Sequence, residues 1–241
     1  MSTAIEKTVG EIAAANPASV RVFEKHGIDY CCGGKISLSD ACLGRGIEPQ
    51  ALLREIDQDS LPASESSADW QSAPLDRLID HILTRHHAYL KSELPRLARL
   101  SAKVNAAHAE RHSATLVPLE GIFLALKAEL ESHLMKEEMV LFPVIRNLEL
   151  AAQAGGAAPA AHCGSVNNPI RVMEHEHDSA GQALAYMRQL TGGYTPPADG
   201  CNTFRALYYG LQELEADLHQ HIHLENNILF PRAARLESAA A

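Results

Sequence analysis

Two stretches of this chain repeat the same polar residues at the same spacing. HLMKEEMVLFP at 133–143 and HIHLENNILFP at 221–231 agree at His, Glu, Leu, Phe and Pro. A histidine and a glutamate four residues apart lie one above the other on a helix face. The run Leu119, Ile122, Leu126 and Leu130 leads at steps of three and four into His133, Glu137 and Leu141, and Leu207, Leu211, Leu214 and Leu218 lead likewise into His221, Glu225 and Ile228. Each polar pair therefore interrupts an apolar stripe that a helical bundle buries. A buried unpaired carboxylate costs several kcal/mol, so two in one core call for a compensating cation. Metal binding is the chemistry this pattern points to.

A pseudo-twofold bundle would take its remaining nitrogen ligands from the other two helices. Val166, Ile170, Met173, His177 and Leu184 share one stripe, which selects His177 and turns His175 away. Leu75, Ile79, Ile82, Leu83, Leu90 and Leu94 admit either His86 or His87. Helical phase slightly prefers His86; repeat spacing leans to His87, because 46 residues separate His87 from His133 and 44 separate His177 from His221. Four histidines and two glutamates suit two metals bridged by both carboxylates, with donors typical of iron or manganese. Glu129, one turn before His133, and Glu176, beside His177, are either acids that support the ligands or relay protons, or members of a solvated face. His81, His108, His112, His162, His219 and His223 fall off the stripes and read as surface residues. Phe142-Pro143 and Phe230-Pro231 read as closing or kinking the helices beyond the site.

Asp29-Tyr30-Cys31-Cys32-Gly33-Gly34 follows a helix stop at Gly27. Adjacent Cα atoms stand about 3.8 Å apart, so a disulfide between Cys31 and Cys32 would be strained and easily reduced. Redox or metal-transfer thiols are one reading, and small buried hydrophobes closing a mini-core are the other. Cys42, Cys163 and Cys201 have no partner spacing.

These residues sit on a chain of 241 residues that reads as all-α, with aromatic residues at 5% and only short β-branched runs. Thr8 caps a helix through about Ala15, Pro17 opens another that Gly27 ends, a third follows Ser37 or Ser39, and a fourth runs over 47–57. This N-terminal module, 1–57, is followed by the Ser/Pro-rich linker 58–74 and then by periodic stretches at about 74–100, 113–149, 168–190 and 203–236. Four helices in two pairs, joined by an Ala/Gly-rich connection after 150, make a four-helix bundle over 75–241. Lys+Arg 21 against Asp+Glu 30 gives a net charge of -9, with no basic cluster, which excludes a nucleic-acid surface. No apolar run is long enough for a membrane span and no signal-peptide layout opens the chain, so a soluble, cytoplasmic protein with thiols rather than a disulfide framework is expected.

An N-terminal module with DYCCGG, followed by a hemerythrin-like bundle carrying H-x-x-x-E and LFP twice, resembles the bacterial repair-of-iron-centres family, which comprises the YtfE, ScdA and DnrN proteins and the related NorA proteins. The resemblance covers essentially the whole chain. It implies a di-iron centre, carboxylate- and oxo-bridged, that protects or restores iron–sulfur clusters after nitrosative and oxidative stress. It implies His87, His133, Glu137, His177, His221 and Glu225 as iron ligands, His87 because the family's ligand aligns with the second histidine of Arg85-His86-His87. Cys31 and Cys32 match its cysteine pair. The implied partners are nitric oxide, damaged iron–sulfur proteins and an electron donor, with a homodimer allowed. Iron donation and nitric oxide reduction are both open, and the alternative is a NorA-like protein that sequesters nitric oxide without turnover. An oxygen carrier of the hemerythrin type ranks low.

Overall fold

The computed structural model describes residues 5–59, 69–156 and 164–239, all-α apart from an isolated antiparallel bridge between Thr8 and Ser37. Most of the expected linker lies outside the described residues, as do His162 and Cys163. The N-terminal module holds α1 (Val9–Ala15), α2 (Ala18–Lys25), α3 (Leu38–Leu43) and α4 (Pro49–Asp59). Thr8 accepts from the Glu11 amide while the Glu11 carboxylate accepts from the Thr8 amide, and Ser37 caps α3. Such caps satisfy amides that have no partner in the first turn, and are worth about 1 kcal/mol each. Gly27 leaves α2 at φ +62°, the left-handed region that glycine enters without strain.

The bundle begins with α5 (Leu75–His81) and runs through a wide turn, Ile82–His87, into α6 (Ala88–Lys136). A second wide turn, Glu137–Leu141, leads to α7 (Phe142–Gln153). Then come α8 (Asn167–Leu190), α9 (Asn202–Leu224), a third wide turn, Glu225–Leu229, and α10 (Phe230–Ala239). A straight helix of the 49 residues in α6 would be about 74 Å long. His87 and Glu137 instead approach to 3.3 Å, because the chain doubles back at His112 (φ -123°, ψ 26°), midway between them. Asn105 donates across this reversal to the Leu116 carbonyl (3.2 Å). The first bundle helix thus continues to the reversal, past the end that periodicity suggested. His108 and His112, read as surface residues, are half-buried there against Phe204 and bond Cys201 and Asp199.

Two apolar layers fill the bundle. Leu90, Leu94, Leu119, Leu126, Leu130, Leu184, Leu207, Leu214 and Leu218 form one, and Leu78, Ile79, Ile82, Phe142, Met173, Ile228 and Phe230 the other. Each buried leucine contributes about 1.5–3 kcal/mol. Between the layers lies a thin polar stratum made by the histidines and glutamates of the repeat.

The N-terminal module is docked on this stratum. Its core, built on Val9, Phe23, Tyr30, Leu38 and Leu52, takes in Ile222 from α9. Asn226 and Asn227 donate to the carbonyls of Cys31 (3.3 Å) and Tyr30 (3.0 Å), and Gln220 donates to the Tyr30 hydroxyl (3.0 Å). This docking buries His223, which the sequence placed on the surface: Tyr30 covers its ring edge-on at 5.5 Å. His219 is also half-buried against Tyr30, and His81 is half-buried against Trp70.

Gly10, whose amide donates to the Gly34 carbonyl at 2.8 Å within the module, sits tightly against Asn227 of the bundle. A methyl there would collide with the Asn227 amide and stand 3.1 Å from the Gly34 oxygen. Gly10→Ala is therefore expected to cost about 1–3 kcal/mol through overpacking. Limited proteolysis should cut the loosened module first, while the bundle keeps its helicity by circular dichroism.

Candidate metal centre

Each wide turn closes with a hydrogen bond five residues back: the Ala88 amide to Leu83, Phe142 to Glu137 and Phe230 to Glu225. This π-type winding spreads one turn over more residues and rotates everything beyond it, and such turns gather at functional sites. In Ile82–His87 it settles which histidine faces inward. Ordinary α phase favours His86; the widened turn brings His87 to the centre and swings His86 to Asp217 (Nδ1 to Oδ1, 3.1 Å). After the second and third turns stand Pro143 and Pro231. Proline has no amide and its ring crowds the carbonyl four residues back, a clash that widening relieves. Phe142 and Phe230 do not close the helices but pack on two of the inward-facing imidazoles, Phe142 5.5 Å from His87 and Phe230 stacked on His177 at 6.0 Å.

Six side chains converge. Glu137 offers Oε2 to His87 Nε2 (3.3 Å) and Oε1 to His133 Nε2 (3.4 Å), while Glu225 offers Oε1 to His221 Nε2 (3.0 Å) and Oε2 to His177 Nε2 (3.3 Å). Two groups result, His87–Glu137–His221–Glu225 and His133–Glu137–His177–Glu225, each with donor atoms within 4.8 Å of one another, and both share the two carboxylates. Both glutamates are 0% exposed. Among the described residues, both Glu137 oxygens, Glu225 Oε2 and His87 Nε2 lack a hydrogen-bond partner. Buried lone pairs aimed at one another fit a pair of cations, each taking two imidazoles and one oxygen from each glutamate.

The electrostatics without metal show the strain on this set. Burial and the Glu225 charge raise the carboxyl of Glu137, yet His133 and His87 outweigh them and hold it below the usual range. Glu225 is held well below it by His221 and His177 against the same penalty of burial. Burial opposes a proton on His133, but Glu137, Glu225 and Glu176 overcome this and lift it to about 9. His87 is raised likewise, whereas burial dominates at His221 and lowers it. Burial also depresses His223, to about 4.

Residues outside the six hold three of the four Nδ1 atoms in turn. His87 donates to Glu138 (2.8 Å), His133 to Glu176 (2.9 Å) and His177 to Asn226 (2.8 Å). Such partners fix the ring and its tautomer. Glu176 thus takes the supporting place, anchored in addition by Lys136. Glu129 does not: it is exposed, joined to no ligand among the described residues, and only lines the rim of a small cavity. Glu138 and Asn226 escaped the reading of the sequence, although they occupy the same position of the repeat. That cavity measures about 20 Å³ and is walled by Leu126, Leu130, Ala180, Leu218 and Ile222 beside His133, His177 and His221. It has room for one water or a molecule of similar size.

Cys31 is buried in the module's core, and a hydrogen bond shared with Cys32, then burial, push its thiol well up. The two sulfurs are 3.7 Å apart, and Cys32 donates to the carbonyl of His177 at 3.4 Å. Asp29, Cys31 and Cys32 form a further group able to take a metal. Both readings of the pair keep support: Cys31 packs as a small hydrophobe, while Cys32 reaches the edge of the site.

Comparison with known proteins follows this geometry. Residues 78–233 match the hemerythrin HHE cation binding domain, and residues 5–60 match ScdA_N, a domain of unknown function (DUF542). A protein of Musicola paradisiaca named iron–sulfur cluster repair protein YtfE is 43% identical over 97% of this chain and 98% of its own length. Proteins of the same name from Citrobacter koseri and Escherichia coli O157:H7 are each 40% identical over 95% of this chain and 96% of theirs.

Two tests follow from the geometry. His87→Ala should disturb the optical and resonance spectra of the metal-loaded protein while His86→Ala leaves them nearly unchanged, and the reverse would contradict the widened turn. In metal-free protein, the stabilisation from protonated His133 is complete below its unfolded value of about 6.5 and lost as pH rises toward 9. The melting temperature of metal-free protein should therefore fall from pH 6.5 to 9. Metal retention should change the other way, weakening as pH falls and protons compete for the imidazoles.

Proposed function

The chain belongs to the hemerythrin HHE cation-binding family and, over nearly its whole length, to the family of the YtfE proteins; from that premise we propose that it is a di-iron protein that repairs or protects iron–sulfur clusters damaged by nitrosative and oxidative stress. The observation that carries this reading is the pair of four-residue groups sharing Glu137 and Glu225. His87, His133, Glu137, His177, His221 and Glu225 hold two iron ions. The bound irons supply redox-active Lewis acidity, and metal that can be given to a cluster.

The chain's own residues set the terms of that chemistry. Glu137 and Glu225 each tie the two halves together, so removing either weakens both. Glu138, Glu176 and Asn226 hold three of the rings in place. The leucine-walled cavity excludes bulk water and any organic substrate larger than a few atoms, which favours nitric oxide as the molecule that enters. Reduction of nitric oxide takes its electrons from a partner protein. Cys31 and Cys32 are the redox or transfer thiols of this reading, set against the His177 side of the centre. The partners are damaged iron–sulfur proteins in the cytoplasm; among the described residues no helix is long and apolar enough to cross a membrane.

Purified protein should carry about two irons per chain, and Glu137→Ala or Glu225→Ala should lose most of both, as metal analysis will read. Iron-loaded protein should restore activity to a nitric-oxide-damaged iron–sulfur enzyme and the Glu137→Ala variant should not. Multiple-turnover nitrous oxide formation with an electron donor adds reductase activity to repair. Nitrosyl formation that stops at stoichiometry, with no repair, would replace this reading by sequestration.

A further inference from the structure

The four ligand imidazoles are not equally supported. Each turns Nε2 inward and leaves Nδ1 to be satisfied from outside. The partners of His87, His133 and His177 are Glu138, Glu176 and Asn226, whereas His221 Nδ1 is buried and has no hydrogen-bond partner among the described residues. The pseudo-twofold symmetry says where its partner belongs. Glu176, the residue before His177, bonds the ligand of the neighbouring repeat helix, His133; its counterpart, the residue before His87, is His86. His86 has spent its own Nδ1 on Asp217 and lies flat on His221, rings parallel within 6° and centroids 5.4 Å apart. A stacked imidazole stands where symmetry calls for a carboxylate.

An unsupported Nδ1–H in a dry site is costly, and loss of such a partner lowers metal affinity by about 10- to 100-fold. The half built on His133 and His177 has both rings supported. The half built on His87 and His221 has one.

We propose that the two metal positions are unequal by construction, and that the iron held by His87 and His221 is the one released first and given to a damaged cluster. This rests on the di-iron reading above. His86 and Asp217 also line an open cleft between the N-terminal module and the bundle, so the ring stacked on His221 is itself reached from outside. Cys32 lies instead against the carbonyl of His177, on the better-held half.

The test is the time course of iron release from intact, anaerobically reduced protein to a ferrous chelator such as bipyridine, begun once metal analysis has shown two irons per chain. Two phases of one iron each are expected, with rates differing about 10- to 100-fold. His86→Gln, whose amide oxygen can accept from His221 as Asn226 does from His177, should slow the fast phase; His86→Glu should do the same and covers the case in which one variant fails to fold. Glu176→Ala should speed the slow phase toward the fast one. The iron passed to a damaged cluster should stop near one per chain in the wild type. A single release phase overturns the proposal, as does a fast phase that His86→Gln and His86→Glu, both folded, leave unaltered while Glu176→Ala accelerates it. Fewer than two bound irons per chain overturns the di-iron reading itself, and the asymmetry with it.

Discussion

Two carboxylates that pair with no lysine or arginine among the described residues sit in the middle of an apolar bundle, and the other features of this protein follow from the need to compensate them. A buried charge left unpaired costs several kcal/mol, comparable to a large part of the stability of an ordinary domain. In the metal-free chain only imidazoles are at hand, and they serve badly. His133 is forced to hold a proton well above the usual histidine range, while His221, more deeply buried, gives its proton up. On the reading proposed above, divalent cations would remove the conflict, because neutral imidazoles and ionised carboxylates could then all serve as ligands at once. The apolar layers on either side keep water from relieving the charge in any other way.

Bringing six groups to one point taxes the helices that carry them. Histidine and glutamate at i and i+4 share a face, and in each repeat they stand one regular turn apart, the Glu137 amide reaching the His133 carbonyl and the Glu225 amide that of His221. The widened turns lie next to these groups: Ile82–His87 ends at His87, and Glu137–Leu141 and Glu225–Leu229 begin at the glutamates. Two of them precede a proline that a regular helix would reject. The Leu-Phe-Pro ending of each repeat is therefore part of the site: proline favours the wide turn, and phenylalanine backs one of the converging imidazoles.

The N-terminal module reaches the site without supplying any of the six groups. Asn226 spans the junction, accepting from His177 through Oδ1 and donating to the Cys31 carbonyl through Nδ2. Docking thereby fixes the amide that holds the His177 ring. It also removes His223 from water and keeps that ring neutral down to about pH 4.

The sequence alone determined the all-α class, the two repeated His–Glu pairs and the inward place of His177, because these depend on periodicity within single helices. Apolar stripes that meet polar residues in phase admit few other readings. What periodicity could not determine was whatever depends on a departure from 3.6 residues per turn or on a neighbour far along the chain. His86 and His87 differ by one residue; helical phase leaned to His86, repeat spacing and the family resemblance to His87, and the widened turn is what brings His87 to the centre. Glu129 and Glu176 look alike in the sequence; Glu176 faces His133 across a helix interface and Glu129 faces solvent. Glu138 and Asn226 stood at matching positions of the repeat, a visible signal, but their role appears only when His87 and His177 arrive beside them. His223 is polar and off the stripe, hence read as exposed, and it is buried because Tyr30, almost two hundred residues earlier, folds over it. Local spacing fixes which way a side chain points on its own helix, and tertiary packing fixes what it meets there.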